Sequence, residues 1–146
     1  MTSHAFNRRA FCGATLALTL GGTSQAQVKN LGDAINKAGR QRMLSQRMAQ
    51  FYLANSWNVD SAVSQREIAK AREEFIPALE FLRNAPEATP EVRQTLALAD
   101  GQWMFFDNAL KARVNNSKSA SDVFITSENL LQVMDSVTSQ YARILG

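Results

Sequence analysis

The sequence predicts an all-α protein: an antiparallel up-down-up-down four-helix bundle that follows an N-terminal signal peptide. Three observations lead there. Apolar residues recur at alternating steps of three and four along four separate stretches. These stretches are similar in length and joined by short polar connections, as in an antiparallel bundle. No stretch alternates with period two for long enough to make a sheet strand. Amphipathic helices connected in this way bury their stripes against one another. With 146 residues, 7 glycines and 3 prolines, and no repeat of solenoid length, the chain suits one compact domain.

Residues 1–26 read as an export signal. Arg8 and Arg9 make a basic start, Ala14 to Leu20 an apolar core, Gly21 and Gly22 a helix breaker, and Ser24-Gln25-Ala26 a small-residue cleavage pattern. The run Asn7-Arg8-Arg9-Ala10-Phe11 approximates a twin-arginine signal, so general and twin-arginine export both stay open. Cleavage near Ala26 leaves residues 27–146 as a periplasmic domain. The apolar run is too short to span a bilayer, so no membrane span is expected afterwards. Cleavage also removes the only cysteine, Cys12, and the only histidine, His4. A mature chain without thiol or imidazole has no disulfide, no thiolate or imidazole metal site and none of the catalytic schemes built on those groups. The expectation is a non-enzyme with no cofactor and no metal. Without Arg8 and Arg9 the 16 basic residues become 14, against 13 acidic ones, which gives no case for nucleic-acid binding.

The first helix is predicted from a cap at Asn30, with Asp33 at the box position, to about Trp57, interrupted but not ended by Gly39. The second starts near Asp60 or Ser64 and carries Ile68, Ala71, Phe75, Leu79 and Leu82 on one face, with Pro77 expected to kink it. Thr89-Pro90-Glu91 supplies a cap, a proline at the first helical position and an acid on the positive end of the dipole. The third helix then repeats Val92, Leu96, Ala99, Trp103, Phe106 and Leu110 at four and three. Ser119 with Asp122 can cap the fourth, whose buried side is read as Phe124, Leu130, Leu131, Met134, Val137, Tyr141 and Ile144.

One residue stands out. Leu31, Ile35, Ala38, Arg42, Ser45, Ala49 and Tyr52 form a helical stripe in which only Arg42 is a permanent cation. A guanidinium withdrawn from water costs several kcal/mol unless paired, so this position predicts a carboxylate partner or a bound anion. Leu44, Met48 and Phe51 form a second apolar stripe on the far side. One stripe can pack within the domain while the other meets a second copy. The small residues Ala38, Ser45 and Ala49 favour the Arg42 stripe as the subunit contact, so a homodimer through the first helix is expected. Two arginines meeting at a two-fold axis would be relieved by one small anion between them.

The run from Asp33 to Met48, with Gly39-Arg40-Gln41-Arg42-Met43 at its centre, resembles the first-helix motif of the type IV pili methyl-accepting chemotaxis transducer N-terminal family, the PilJ and NarX-like sensor domains. The segment from Ile125 to Asp135 is similar to the last-helix pattern of the same group. The resemblance implies a sensor domain linked to chemotaxis or pilus-type signalling. In the nitrate-sensing kinases of this group the corresponding stretch is an anion-binding box. Its Gly-x-x-Arg-Met arrangement falls here on Gly39, Arg42 and Met43, and Asn36 and Arg47 of the same run complete the candidate ligand-binding set. Family members are usually followed by a membrane helix and a signalling region. The expectation here is a stand-alone exported domain, with a membrane receptor as candidate partner.

Other features read more plainly. Arg40, Arg47 and Lys37 cluster away from Arg42, on a face expected to be solvated or carboxylate-paired. Trp103 and Phe106 lie on the helical seam and are read as core. Glu73, Glu74 and Glu80 lack the histidines that accompany carboxylates in bundle di-metal sites and are read as a solvated face. The alternative function is a non-catalytic interaction module that docks to a membrane receptor or envelope protein without a small ligand.

Overall fold

Three of the four helices begin behind a side chain that accepts the first free backbone amide. Asp60 Oδ1 accepts from Val63 N at 3.1 Å, Thr89 Oγ1 from Val92 N at 3.3 Å and Asn116 Oδ1 from Ser119 N at 2.8 Å. The computed structural model describes residues 25–113 and 116–146, and within them the chain forms α1 (Gln25–Ser56), α2 (Ser61–Asn84), α3 (Pro90–Lys111) and α4 (Ser117–Leu145). Most of the expected signal peptide lies outside the described residues. Asp60 and Asn58, in the turn between α1 and α2, adopt left-handed φ values of 41° and 56°, which their short polar side chains tolerate.

Several boundaries differ from the expectation. The first helix runs straight through Asn30, whose amide donates instead to Glu87 Oε1 at 2.9 Å, near the α2–α3 turn. Asn116, not Ser119, caps α4, and Asp122 pairs with Lys118. At α2 the cap is Asp60, while Ser64 is buried and donates to Val59 O. The helix α2 continues as one element through Pro77.

Lateral contacts run antiparallel around the bundle. Arg40 and Arg47 of α1 meet Glu74 and Glu67 of α2, and Arg72 and Arg83 of α2 meet Asp107 and Asp100 of α3. Gln140 and Arg143 of α4 reach Thr95 and Glu91 of α3, while Gln46 of α1 donates to Ser127 O of α4. The backbones of α1 and α4 lie close together, as do those of α1 and α2 and of α3 and α4. Between α2 and α3 the gap is filled by large side chains: Phe75 stacks on Trp103 at 4.4 Å, and Trp103 meets Phe106 edge-on at 6.2 Å.

The core confirms the seams of α2 and α3 and corrects those of α1 and α4. On α4, Val123 is buried and Phe124 is 58% exposed, because the buried register runs Val123, Ser127, Leu130, Met134, Val137, Tyr141. On α1 the buried side is Leu31, Ala34, Ala38, Gln41, Ser45, Met48 and Tyr52, flanked by Leu44 and Ala49. The two stripes read from the sequence are thus edges of one buried face. Ala38, Ser45 and Ala49 are spent inside the bundle, where they cannot serve a subunit contact.

Two tyrosines tie the diagonals. Tyr52 of α1 donates to Ala112 O at the C-cap of α3, at 3.0 Å, and Tyr141 of α4 donates to Leu82 O in the last turn of α2, at 3.1 Å. The last carbonyls of a helix lack intrahelical donors, so each hydroxyl satisfies a group that would otherwise be stranded. Burial pushes the Tyr141 phenol up to about 12, with the Glu87 carboxylate adding to the shift. The folded chain therefore keeps this proton to higher pH than the unfolded chain. Its contribution is complete below pH 10.0 and is lost as pH rises towards about 12. Tyr141→Phe is expected to cost about 1 kcal/mol at neutral pH and to flatten the alkaline fall in stability, as read from melting temperatures between those two pH values.

Candidate functional site

Successive residues of a helix are turned by about 100°, so a five-residue step from Arg42 to Arg47 places them on different sides of α1. Arg42 lies on the edge facing α4, with Nη1 at 3.1 Å from Asp135 Oδ1. Arg47 lies on the edge facing α2, where Nη2 donates to Glu67 Oε2 at 2.6 Å and the guanidinium sits 5.0 Å from the centre of the Phe51 ring. This hydrogen bond holds the Glu67 carboxyl below its ordinary value. Asn36 and Met43 face outward between the two edges, Met43 being 43% exposed, and Gly39 is half-buried beside them. Within one chain the five candidates therefore line the outer side and both edges of α1, and do not converge on a single cavity.

Arg42 is not a core residue. Its side chain is 41% exposed, and its partner Asp135 is 55% exposed. The guanidinium nevertheless donates no hydrogen bond among the described residues, and its Nε is buried without an acceptor. The ion pair is a surface contact in geometry that leaves the strongest donors unused, and pairs of that kind contribute about 0–1 kcal/mol. The arrangement leaves a cation with free donors against α4, beside an exposed carboxylate.

The larger of the two buried polar residues of α1, beside Ser45, is Gln41, which is fully buried. Its Nε2 donates to Phe75 O at 2.7 Å, in the turn of α2 that precedes Pro77, and its Oε1 has no partner among the described residues. The steps from Leu31 through Ala34, Ala38, Gln41, Ser45 and Met48 to Tyr52 alternate three and four as regularly as the stripe through Arg42, so a reading of periodicity alone does not separate them. Two of the other three cations are carboxylate-paired, Arg40 in a two-pronged contact with Glu74 and Arg47 with Glu67, whereas Lys37 lies over the Phe81 ring. Between α1 and α2 these bridges overlie a groove with segments of about 300 and 390 Å³.

No group of three His, Cys, Asp or Glu side chains is gathered as a metal site among the described residues, and none of their helices is long and apolar enough to cross a membrane. The described residues form a helical bundle in which α1 offers cations at both edges. Residues 24–124, more than half of the chain and extending from the start of α1 into α4, match the family model described as type IV pili methyl-accepting chemotaxis transducer N-term. The chain belongs to this family, and it is a sensor-type domain of chemotaxis and pilus signalling. No curated protein and no solved structure matches it.

Gly39 reports on the outer side of α1. A Cβ built there meets nothing within 4 Å, so no contact within the chain requires glycine. Gly39→Ala is expected to stabilise the isolated chain by about 1 kcal/mol through helix propensity, measured by urea unfolding at low protein concentration.

Proposed function

We propose that this domain is an exported, periplasmic, non-catalytic sensor that recognises a small anion through Arg42, with a second copy packed along the outer side of α1. The observation that carries the reading is the Arg42 guanidinium, which is held against α4 with its Nε buried and, among the described residues, unpartnered, and with an exposed carboxylate as its one counter-ion there. A nitrate-like oxyanion or a small carboxylate accepts planar, bidentate hydrogen bonds from such a group. The position of Arg42 in the Gly-x-x-Arg-Met arrangement, within the matched family region, supports the same residue.

The buried small residues of α1 do not serve as the dimer seam, so the contact falls on the outward residues. Gly32, Asn36, Gly39 and Met43 follow one another at steps of four and three, and neither glycine has a neighbour within 4 Å of its Cβ position. A partner helix laid there would bring Arg42 of each copy towards the shared surface, coupling ligand occupancy to helix register. Asp135 competes with the anion for the guanidinium and sets its affinity.

Purified protein is expected to gain thermal stability from one or a few of nitrate, nitrite, sulfate and small carboxylates, by about 2.7 kcal/mol at a hundredfold excess over Kd. Arg42→Ala should abolish the gain with helical content unchanged, and Asp135→Asn should enlarge it. A scan with no shift for any of these anions would leave the interaction module as the better reading. Export is checked separately by N-terminal sequencing of protein from the cell envelope: the chain should begin near Gln27, and an intact Met1 in that fraction would overturn it.

A further inference from the structure

We propose that the groove between α1 and α2 is a second ligand site and takes a small zwitterion of the amino-acid type. Its larger segment, about 390 Å³, is lined by charges of both signs. Arg40 and Glu74 bind each other through two contacts and neutralise one another. Lys37 on the α1 wall and Glu73 on the α2 wall have no ion-pair partner among the described residues. Lys37 Nζ is instead poised 4.8 Å above the centre of the Phe81 ring at the rim.

A third polar group borders the same segment from inside the bundle. Gln41 lines the same segment from the core side and is fully buried, its Nε2 is taken by Phe75 O, and its Oε1 has no donor. An acceptor kept from water and left unpaired carries the desolvation penalty of that group.

The ligand class follows from what each wall lacks. A simple anion would satisfy Lys37 but meet the Glu73 carboxylate. A simple cation would satisfy Glu73 but be repelled by Lys37. An ammonium supplies donors for Glu73, while a carboxylate on the same molecule accepts from Lys37. Leu44, Pro77 and Ala78 line the segment with apolar surface for an aliphatic or aromatic side chain, and the volume is in the range of small-molecule sites. The groove lies on the opposite edge of α1 from Arg42, so this site stands or falls apart from the anion reading.

Isothermal titration of the purified full chain with neutral L-amino acids from alanine to phenylalanine tests the assignment. At least one is expected to bind saturably, and its amide and its deaminated acid should each bind about tenfold more weakly or worse. Glu73→Gln and Lys37→Gln, both surface changes, should each weaken binding about tenfold with helical content unchanged, whereas Arg42→Ala should leave Kd within about twofold. Absence of saturable binding by any of the panel at about 10 mM would overturn the proposal. So would binding that survives both groove substitutions, or binding lost in Arg42→Ala.

Discussion

The bundle depends on α1 lying close to two neighbours at once. That helix presents small side chains to them, Ala34, Ala38, Ser45 and Ala49, all buried. Their size lets the backbones of α2 and α4 approach on either flank. Space that would otherwise open at the centre is taken by Leu31, Met48 and Tyr52 from α1 and by Phe75, Phe106 and Met134 from its neighbours. The gap between α2 and α3, where no such small stripe exists, is closed by the Phe75–Trp103 stack. Tyr52 and Tyr141 then complete the frame across both diagonals, each ending on a carbonyl at a helix C-terminus.

That frame distributes charge in a particular way. Because the buried face of α1 takes up about half of its circumference, its cations are forced to the two edges and the outer side. Arg40 and Arg47 meet carboxylates of α2, and Arg42 meets one of α4. Exposed pairs of this kind contribute little to stability, so they act chiefly by orienting side chains over the grooves between helices. The consequence is a helix that presents different chemistry on each edge: paired arginines above a groove on one, and a guanidinium with unused donors on the other. Membership of a sensor family and this division of α1 are consistent with each other.

Much of this was readable from local signals. The cap, proline and acid of Thr89-Pro90-Glu91 begin α3 as predicted, and the seam from Val92 to Leu110 is its packed face. The helix α2 is capped by Asp60, one of its two expected starts, and α4 begins close to where expected, although its capping side chain is Asn116. Asn30 was a plausible cap with Asp33 behind it, yet the chain is already helical there, because packing of Leu31 and Ala34 against the core carries α1 further towards the N-terminus. Phe124 looked like a core residue by hydrophobicity and lies on the surface, since Val123 holds the register that meets α1 and α3.

The sequence by itself determined the number, order and approximate limits of the helices, the all-α class and the family motif centred on Gly39, Arg42 and Met43. Those features rest on periodicity, capping and residue identity, which are local. Which side of α1 faces inward was decided only by the tertiary structure. Stripes through Gln41 and Arg42 differ by a single residue, or about 100° of rotation, and both satisfy the same three-and-four spacing. The neighbours choose between them: Gln41 finds the Phe75 carbonyl inside the bundle, while a guanidinium at the same position would lose its hydration and meet no carboxylate. Arg42 accordingly stands at the edge, where its charge stays partly in water and within reach of Asp135.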